Sequence, residues 1–432
     1  MEKDIDFLKL IFADLHIHSK YSRACSKELN FENLVKWAKI KGLNLLGTGD
    51  FTHPLWLKDI EKLREDNGVY YLDDFPFILS SEISLIYTKN GKGRKVHLVY
   101  LAPSLDSVRK INSWLDTRGR RDYDGRPIFG ISCRDFAAKM EEIDERIEVI
   151  CAHSFTPWFG IFGSEGGFDK LKDAFEDKTY FIHAIETGIS ADPLMCWKIH
   201  DLDAKSIVSF SDAHSFWPWR LGREATIFHA PKNEKLTYDS IIKQIRNKSF
   251  FGTIEVEPAY GKYHFDGHRN CNFSCSPEET KKLNGKCPVC WKDLTIGVDY
   301  RANELSRLGE ASHKDKKFYY KILPLHEIIS LALGLGVNSK SVWKIYNSLI
   351  EKFENEFNIL LKISFDELMK IINNKLLCNL IMLNREGKIE VKPGYDGVYG
   401  KALIDGKEVN LEENNSNAIE AKKEKSVQKK LF

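Results

Sequence analysis

Along the first ~250 residues, short apolar, β-branched runs alternate with stretches whose apolar positions recur every three or four residues. The runs predict strands at residues 8–13, 43–48, 77–80, 96–101, 147–151, 182–186 and 207–211. The periodic stretches predict helices between them, including 31–41, 105–115 and 133–143, the last with Ser132 as its N-cap. This alternation is that of a parallel α/β fold, and seven strands in series favour a barrel over an open sheet. We therefore divide the chain into a barrel at 1–255, a Gly-, Pro-, Cys- and aromatic-rich module at 256–300, a mostly helical region at 301–410 and a tail at 411–432. Residues 341–353 and 365–380 carry the clearest helical periodicity in the third region, and 386–410 suggest a short hairpin or loop. The Glu-, Asn- and Lys-rich tail predicts a flexible segment.

Composition narrows the classes more than it names one. A 43% hydrophobic and 29% charged chain of 432 residues is that of an ordinary globular protein. It contains no run near the ~20 apolar residues a bilayer demands, and its N-terminus lacks the basic-then-apolar order of a signal peptide. The cytosol is the expected compartment, a monomer the expected state, and a membrane no expected partner. The net charge of +2 neither demands nor excludes nucleic acid. Locally, Thr117-Arg-Gly-Arg-Arg-Asp-Tyr-Asp-Gly-Arg126 sets four arginines in a loop-like stretch, either a solvated surface or a phosphate contact through Arg120 and Arg121.

The chemistry lies at the strands. The first runs into Asp14-Leu-His16-Ile-His18, the second into Gly49-Asp50-Phe-Thr-His53, and the third into Glu82. The fourth contains His97, the fifth ends at His153, the sixth at Glu186, and the seventh at Asp212-Ala-His214. Parallel barrels gather such positions at one mouth, and His-x-His at a strand end turns both rings to one side. Imidazoles and carboxylates collected there bind divalent metal. Two or three ions together lower the pKa of a bound water, neutralise phosphate oxygens and stabilise a leaving oxygen, so phosphate-ester hydrolysis needs no protein nucleophile. Asp212, Glu82, His153 and His214 are the candidate catalytic residues.

A quartet of cysteines, Cys271-x3-Cys275 and Cys287-Pro-Val-Cys290, has the count and spacing of a closed, structural zinc site, with His268 as a possible exchange for one thiolate. Aromatic-rich loops follow two of the histidines, with Trp158 and Phe159 after His153 and Trp217, Arg220 and Arg223 after His214. They form either a hydrophobic plug or a surface for a base or strand.

These motifs, in this order, resemble those of PHP (polymerase and histidinol phosphatase) domains, distorted (β/α)7 barrels with a trinuclear metal centre. The resemblance implies that His16, His18, Glu82 and Asp212 hold one ion. It gives Glu82, His97 and His153 a second, with Glu82 bridging. His214 and a ligand from the Asp50–His53 loop would hold the third, where Arg23 and Cys25 stand in place of a further histidine. Glu186 suits a role orienting a ligand.

The barrel, the segment Gly261–Arg269, the cysteine quartet, the helical region and Pro393-Gly-Tyr-Asp-Gly-Val-Tyr-Gly400 together resemble endonuclease Q. That family implies a DNA-repair endonuclease cutting 5′ of deaminated bases (uracil, hypoxanthine, xanthine) or abasic sites, leaving a 3′-hydroxyl and a 5′-phosphate. It implies two or three catalytic Zn²⁺, Mn²⁺ or Mg²⁺ ions, and damaged DNA as partner. A small-molecule phosphatase and a non-catalytic repair scaffold are the competing readings, neither of which uses every feature. The last residues, with Gln428, Leu431 and Phe432, resemble a short sliding-clamp (PCNA) docking peptide.

Overall fold

The computed structural model of the chain describes residues 9–232, 234–404 and 406–408. Clamp-docking candidates Gln428, Leu431 and Phe432 lie outside the described residues. No helix among the described residues is long and apolar enough to cross a membrane.

Twelve strands position the candidate chemistry: β1 (Leu10–Asp14), β2 (Leu45–Gly47), β3 (Arg64–Asp66), β4 (Val69–Leu72), β5 (Phe75–Lys89), β6 (Lys92–Ala102), β7 (Ile128–Phe129), β8 (Glu148–Cys151), β9 (Ala184–Glu186), β10 (Ser206–Val208), β11 (Ala225–His229) and β12 (Gly252–Glu255). They pair in the order β10-β9-β8-β6-β5-β2-β1-β11-β12, with β3, β4 and β7 off that path. The sheet curls into a half-barrel: chain leaving β10 returns to the end of β1, where His18 N–H donates to Ala213 O at 3.0 Å. Asp14 fastens this return, accepting from Ser211 N at 3.0 Å and Gly222 N at 2.9 Å. Its own burial pushes that carboxyl up to about 6.

Parallel pairing holds for β1–β2, β2–β5, β8–β9 and β9–β10. The short β7 also lies parallel to β5; the remaining contacts are antiparallel, and one has an evident local cause. Instead of two parallel strands at 77–80 and 96–101, β5 and β6 form one long hairpin in register from Leu79↔Ala102 to Lys89↔Lys92. Asn90 and Gly91 make its turn with φ of 53° and 71°, the two-residue geometry that matches the strands' twist.

Inside the curl, Ala13, Leu45, Ile78, Val99, Ile150, Val208 and Phe228 join one core cluster with Ile241 and Ile245 of a flanking helix, Tyr238–Arg246. The helices Phe31–Lys41, Leu105–Asp116 and Cys133–Ile143 form where periodicity predicts them. Ser132 caps the last by accepting from Asp135 N.

Compactness groups the cysteine-rich segment with the half-barrel. One unit runs to Tyr320 and takes back Pro393–Gly400, and the second holds Lys321–Lys392 with the described residues from Lys401. The second unit packs helices Leu325–Leu333, Lys340–Phe353, Glu356–Leu361, Phe365–Ile372 and Lys375–Arg385. The single helix expected at 365–380 breaks at Asn373, whose φ of 44° is left-handed, and Asn374 caps the next helix.

Candidate metal centre and cleft

Glu82 and His97 lie within β5 and β6, not at strand ends. Their register (Glu82↔Val99, Ser84↔His97) makes them diagonal neighbours on one face of the hairpin. Glu82 Oε1 lies 2.8 Å from His97 Nδ1 and 3.3 Å from His153 Nε2. Its Oε2 lies 3.2 Å from His18 Nε2 and 3.5 Å from His16 Nε2. Asp212 Oδ1 completes the latter side at 3.0 Å from His18 and 3.6 Å from His16. Two groups able to hold a cation result: His16, His18, Glu82 and Asp212, and Glu82, His97 and His153.

Three of the rings are braced from behind. His16 Nδ1 meets Glu186 Oε2 at 2.8 Å, His18 Nδ1 meets Asp50 Oδ1 at 2.9 Å, and His153 Nδ1 meets Thr156 Oγ1 at 2.9 Å. Such bracing fixes tautomer and aim, leaving the far nitrogens turned toward a common point. His16 Nε2 is buried with no hydrogen-bond partner, the mark of a group whose partner is an ion. The backbone supports the same convergence at a cost. Asp50, His153 and Asp212 have φ of 43°, 28° and 49°, strain that residues with a Cβ adopt only when the surroundings over-determine it. At His153 one such constraint is Gly188, where a Cβ would come 2.7 Å from that of His153.

Electrostatics say what the cradle wants. Against the penalty of burial, Glu186, Glu82 and Asp212 hold His16 well above its usual range, and Asp50 with its neighbours does so for His18. Burial dominates at His97 and drops it to about 4. Despite burial, His97, Arg126 and His16 hold Glu82 well below the carboxylate range. Three buried carboxylates, Glu82, Glu186 and Asp50, are thus converged on a few imidazoles, a donor set that fits divalent cations.

The third expected group is not gathered. Asp50 is taken up by His18, Ser19 N at 2.6 Å and Ser22 Oγ at 2.8 Å. His53 stacks on Tyr21 with ring centres 4.2 Å apart, and its Nε2 faces Asp122 O at 3.2 Å. His214 packs against the ring of His18 at 4.6 Å, and its Nδ1 faces Asp212 O. Burial pushes the Cys25 thiol up to about 12.

The cradle opens into a cleft of about 730 Å³. Trp158, Phe159, Arg220 and Arg223 line it, and Phe159 lies on the His97 ring at 4.2 Å. Trp217 does not line it; it stacks on Trp219 at 5.5 Å and meets Trp37 edge-on, as a plug. Arg120 and Arg121 do not line it either, being paired with Asp122 and Asp116. Arg126, from the same run, does line it and reaches Glu82 Oε2 at 3.0 Å. Spacing gave no reason to prefer Arg126, although the adjacent glycine is a signal: a Cβ on Gly125 would fall 2.2 Å from Asp50 Oδ2. Sequence reasoning also missed Glu224, Lys262 and Tyr399 in the cleft wall. A larger cleft of about 1120 Å³, lined by Lys89, Arg94 and Arg301 among others, holds neither of the histidine–carboxylate groups.

In the cysteine-rich segment the hairpin β13 (Asp266–His268) and β14 (Phe273–Cys275) carries a different cluster from the expected quartet. His268, Cys271, Cys287 and Cys290 come together, with Cys290 Sγ 3.5 Å from His268 Nδ1. Cys275 stands two positions farther from the hairpin turn, opposite Asp266, and its sulfur meets Thr280 Oγ1 at 3.2 Å. The exchange of one cysteine for His268 is the arrangement this geometry favours.

Comparison with known proteins places these features in company. Residues 324–388 match the family model described as the MJ0043 C-terminal domain. The protein MJ0043 of Methanocaldococcus jannaschii is 34% identical over 290 residues, 66% of this chain; the match spans only 34% of that longer protein. The crystal structure of the lesion-specific endonuclease PfuEndoQ from Pyrococcus furiosus superposes with a TM-score of 0.81 at 32% identity, over 91% of this chain and 95% of that one. An endonuclease Q complex with a 27-mer duplex bearing an abasic lesion at its active site superposes with a TM-score of 0.82 at 32% identity, over 91% and 96% of the two chains.

Proposed function

Because the chain belongs to the endonuclease Q family, we propose that it is a metal-dependent, lesion-specific DNA endonuclease. It cuts the phosphodiester on the 5′ side of a deaminated base (uracil, hypoxanthine or xanthine) or an abasic site, leaving a 3′-hydroxyl and a 5′-phosphate. The observation that carries this reading is Glu82, whose two carboxylate oxygens are divided between two histidine groups beside a cleft wide enough for a nucleotide.

In this reading His16, His18, Glu82 and Asp212 hold one divalent ion (Zn²⁺, Mn²⁺ or Mg²⁺), and Glu82, His97 and His153 hold the other. Bound there, the ions would supply a water of lowered pKa and neutralise the phosphate that water attacks. Glu186, Asp50 and Thr156 keep the imidazoles aimed. Arg126, already on the shared carboxylate, is positioned to swing onto a non-bridging phosphate oxygen. Arg220 and Arg223 meet the strand or the base, and Trp158 and Phe159 offer flat faces to an extruded base. His214, near Asp212, is available to a third ion or to the leaving oxygen. His268, Cys271, Cys287 and Cys290 hold a structural zinc.

Labelled duplexes carrying one uracil, hypoxanthine, abasic site or normal base, with Mg²⁺, Mn²⁺, Zn²⁺ or chelator, test the reading alongside histidinol phosphate. The expected result is a single metal-dependent nick 5′ of each lesion, abolished in a folded Asp212→Ala variant. Phosphate release from the small ester alone, or full nicking by that variant, overturns it.

A further inference from the structure

The loop from His153 to Asp169 carries one ring of the cradle and steadies another. Thr156 Oγ1 braces His153, the Phe159 ring lies on His97, and Phe159 O accepts from His97 N at 2.8 Å. Two of these loop residues are in left-handed backbone, His153 with φ of 28° and Phe159 with φ of 68°. Residues with a Cβ keep that conformation only where their surroundings impose it. Part of the constraint is internal to the loop. Phe162 N donates to Ser154 O at 2.8 Å, Phe168 N donates to Ile161 O at 2.7 Å, and a Cβ on Gly163 would fall 2.3 Å from Thr156 O.

A further constraint comes from outside. Arg301, on the helix Val298–Leu305, is 8% exposed, and its guanidinium closes over the loop. Nε donates to Phe162 O at 2.8 Å and Nη2 to Phe168 O at 3.1 Å, while Asp169 and Glu304 balance the charge. Burying a guanidinium is costly unless it is paired and bonded, and here two of its bonds go to separate carbonyls of one loop. The helix that presents Arg301 is itself anchored from behind. Gly297 N donates to Asp266 Oδ1 at 2.6 Å, Val298 N to Tyr263 O at 2.8 Å, and Thr295 and Gly267 exchange N–H···O bonds at 2.8 and 3.0 Å. Ser164 Oγ adds a bond from the loop to Ile296 O at 3.1 Å. Arg301 lines the larger cleft and not the one beside the cradle, so it reaches the metal groups only through the loop.

We propose that Arg301 is a positioning residue for the metal centre: it holds the His153–Asp169 loop in its strained form, and through that loop keeps His153 and His97 turned to Glu82. The assignment rests on the reading above that these three residues hold an ion, and adds to it the group that sets how tightly. Rings already in line lose little freedom when an ion arrives, whereas rings on a loose loop must be ordered by the ion, at the expense of its affinity. An arginine suits this task because its planar fork reaches two carbonyls at a fixed angle, where a lysine ammonium on a flexible stem makes a point contact. The helical unit holds a second clamp of the same kind, remote from the chemistry. There Arg385 Nε donates to Leu360 O and Nη2 to Ile363 O, both at 2.7 Å.

The test is titration of the full-length protein with Mn²⁺ in the absence of DNA, read by the electron paramagnetic resonance of the free ion. Arg301→Met should weaken Mn²⁺ binding by about tenfold, the lower end of what losing a group behind a metal ligand costs. In the metal-free protein the amides of Phe162 and Phe168 should exchange their hydrogens faster than in wild type. Nicking of a lesion duplex by Arg301→Met should fall at limiting Mn²⁺ and recover at saturating Mn²⁺, a rescue that a general loss of stability would not show. Arg385→Met should lower the melting temperature and leave Mn²⁺ affinity within about twofold of wild type. Wild-type affinity in a folded Arg301→Met, or an equal loss in Arg385→Met, overturns the inference. Should Arg301→Met fail to fold, Arg301→Lys keeps the charge and one carbonyl contact, and should weaken binding in the same direction by less. Wild-type affinity in that variant, or failure of both to fold, assigns Arg301 to the scaffold and overturns the positioning role. A wild-type protein that binds Mn²⁺ but nicks no lesion overturns the endonuclease reading alone, and one that binds no Mn²⁺ overturns both.

Discussion

The histidine–carboxylate cradle joins residues as distant as His18 and Asp212, 194 positions apart, whereas the His268–Cys290 cluster closes over 22. Both lie in the same compact unit, and the difference in span reflects a difference in job. The cradle is assembled by a folded sheet: its rings are braced by Glu186, Asp50 and Thr156, its backbone is strained at three positions, and it opens into a cleft. A site so preformed suits chemistry, because the protein and not the ion carries the cost of organisation. The cysteine cluster has little sheet to lean on, being a three-residue hairpin and a knuckle whose buried neighbours are Cys275, Cys287 and Leu294. There an ion bound by His268, Cys271, Cys287 and Cys290 would itself supply the folding energy, as in closed thiolate sites.

Glu82 is where that contrast is easiest to break. If its oxygens serve two ions, Glu82→Gln removes a ligand from both at once. Nicking of a lesion duplex should fall by about 10³-fold or more, since several kcal/mol of charge stabilisation is lost at about 1.4 kcal/mol per tenfold. A melting curve keeps this loss apart from unfolding, because taking the charge from a carboxylate held ionised by His97, Arg126 and His16 should also lower the melting temperature. Single-turnover kinetics beside a melting curve would decide it, and activity within tenfold of wild type would remove Glu82 from the shared position.

The cysteine cluster should show the reverse pattern. Cys287→Ser is expected to lose one equivalent of zinc and about 3 kcal/mol of apparent stability, the gain an ion confers at a hundredfold its dissociation constant. Residual nicking per folded molecule should change less than with Glu82→Gln. Cys275→Ser sharpens the comparison, because the structure leaves that sulfur on Thr280 and gives its place to His268. Zinc content by mass spectrometry should stay at one equivalent in Cys275→Ser and fall in His268→Ala; the opposite result restores the four-cysteine set.

How far each region could be read beforehand follows from the same difference in span. Spacing alone locates the cysteine-rich site, yet it cannot choose between Cys275 and His268, because that choice depends on which hairpin positions flank the turn. The strand-by-strand recurrence of His, Asp and Glu makes the cradle visible as a set, and the structure brings His16, His18, Glu82, His97, His153 and Asp212 together. Strand direction was less legible. Asn90-Gly91 signals a hairpin, but the run after it, Lys92-Gly-Arg-Lys95, has no apolar alternation to mark the strand's start. The Asp50, His53 and His214 set illustrates a further limit. A residue type suited to a metal is equally suited to bracing one, and Asp50 is engaged with His18, Ser19 and Ser22. Arg126, Glu224 and Tyr399 were hidden because nothing in their own neighbourhoods says which loop reaches the cleft.

The smallest expected effect separates the regions by the sign of their response to pH. Beside the cradle, Glu255 accepts from Thr187 Oγ1 and Ser209 Oγ, both at 3.0 Å, yet its burial outweighs these bonds and pushes the carboxyl from 4.5 to about 8. Between those two values the folded chain keeps a proton that the unfolded chain has released. Its stabilising contribution is therefore full below the lower value, declines as pH rises, and is gone above about 8. The slope approaches about 1.4 kcal/mol per pH unit inside the window. Zinc bound at the cysteine cluster would run the other way, because thiolate ligands must be deprotonated and acid displaces the ion. Melting curves from pH 6 to 9 at saturating zinc should show wild type losing stability faster than Glu255→Gln, with Glu224, also pushed up, leaving a residual slope in the variant. Parallel slopes for the two proteins would mean that Glu255 is ionised in the fold, and the acid-sensitive, alkali-sensitive division between the two regions would then rest on the thiolates alone.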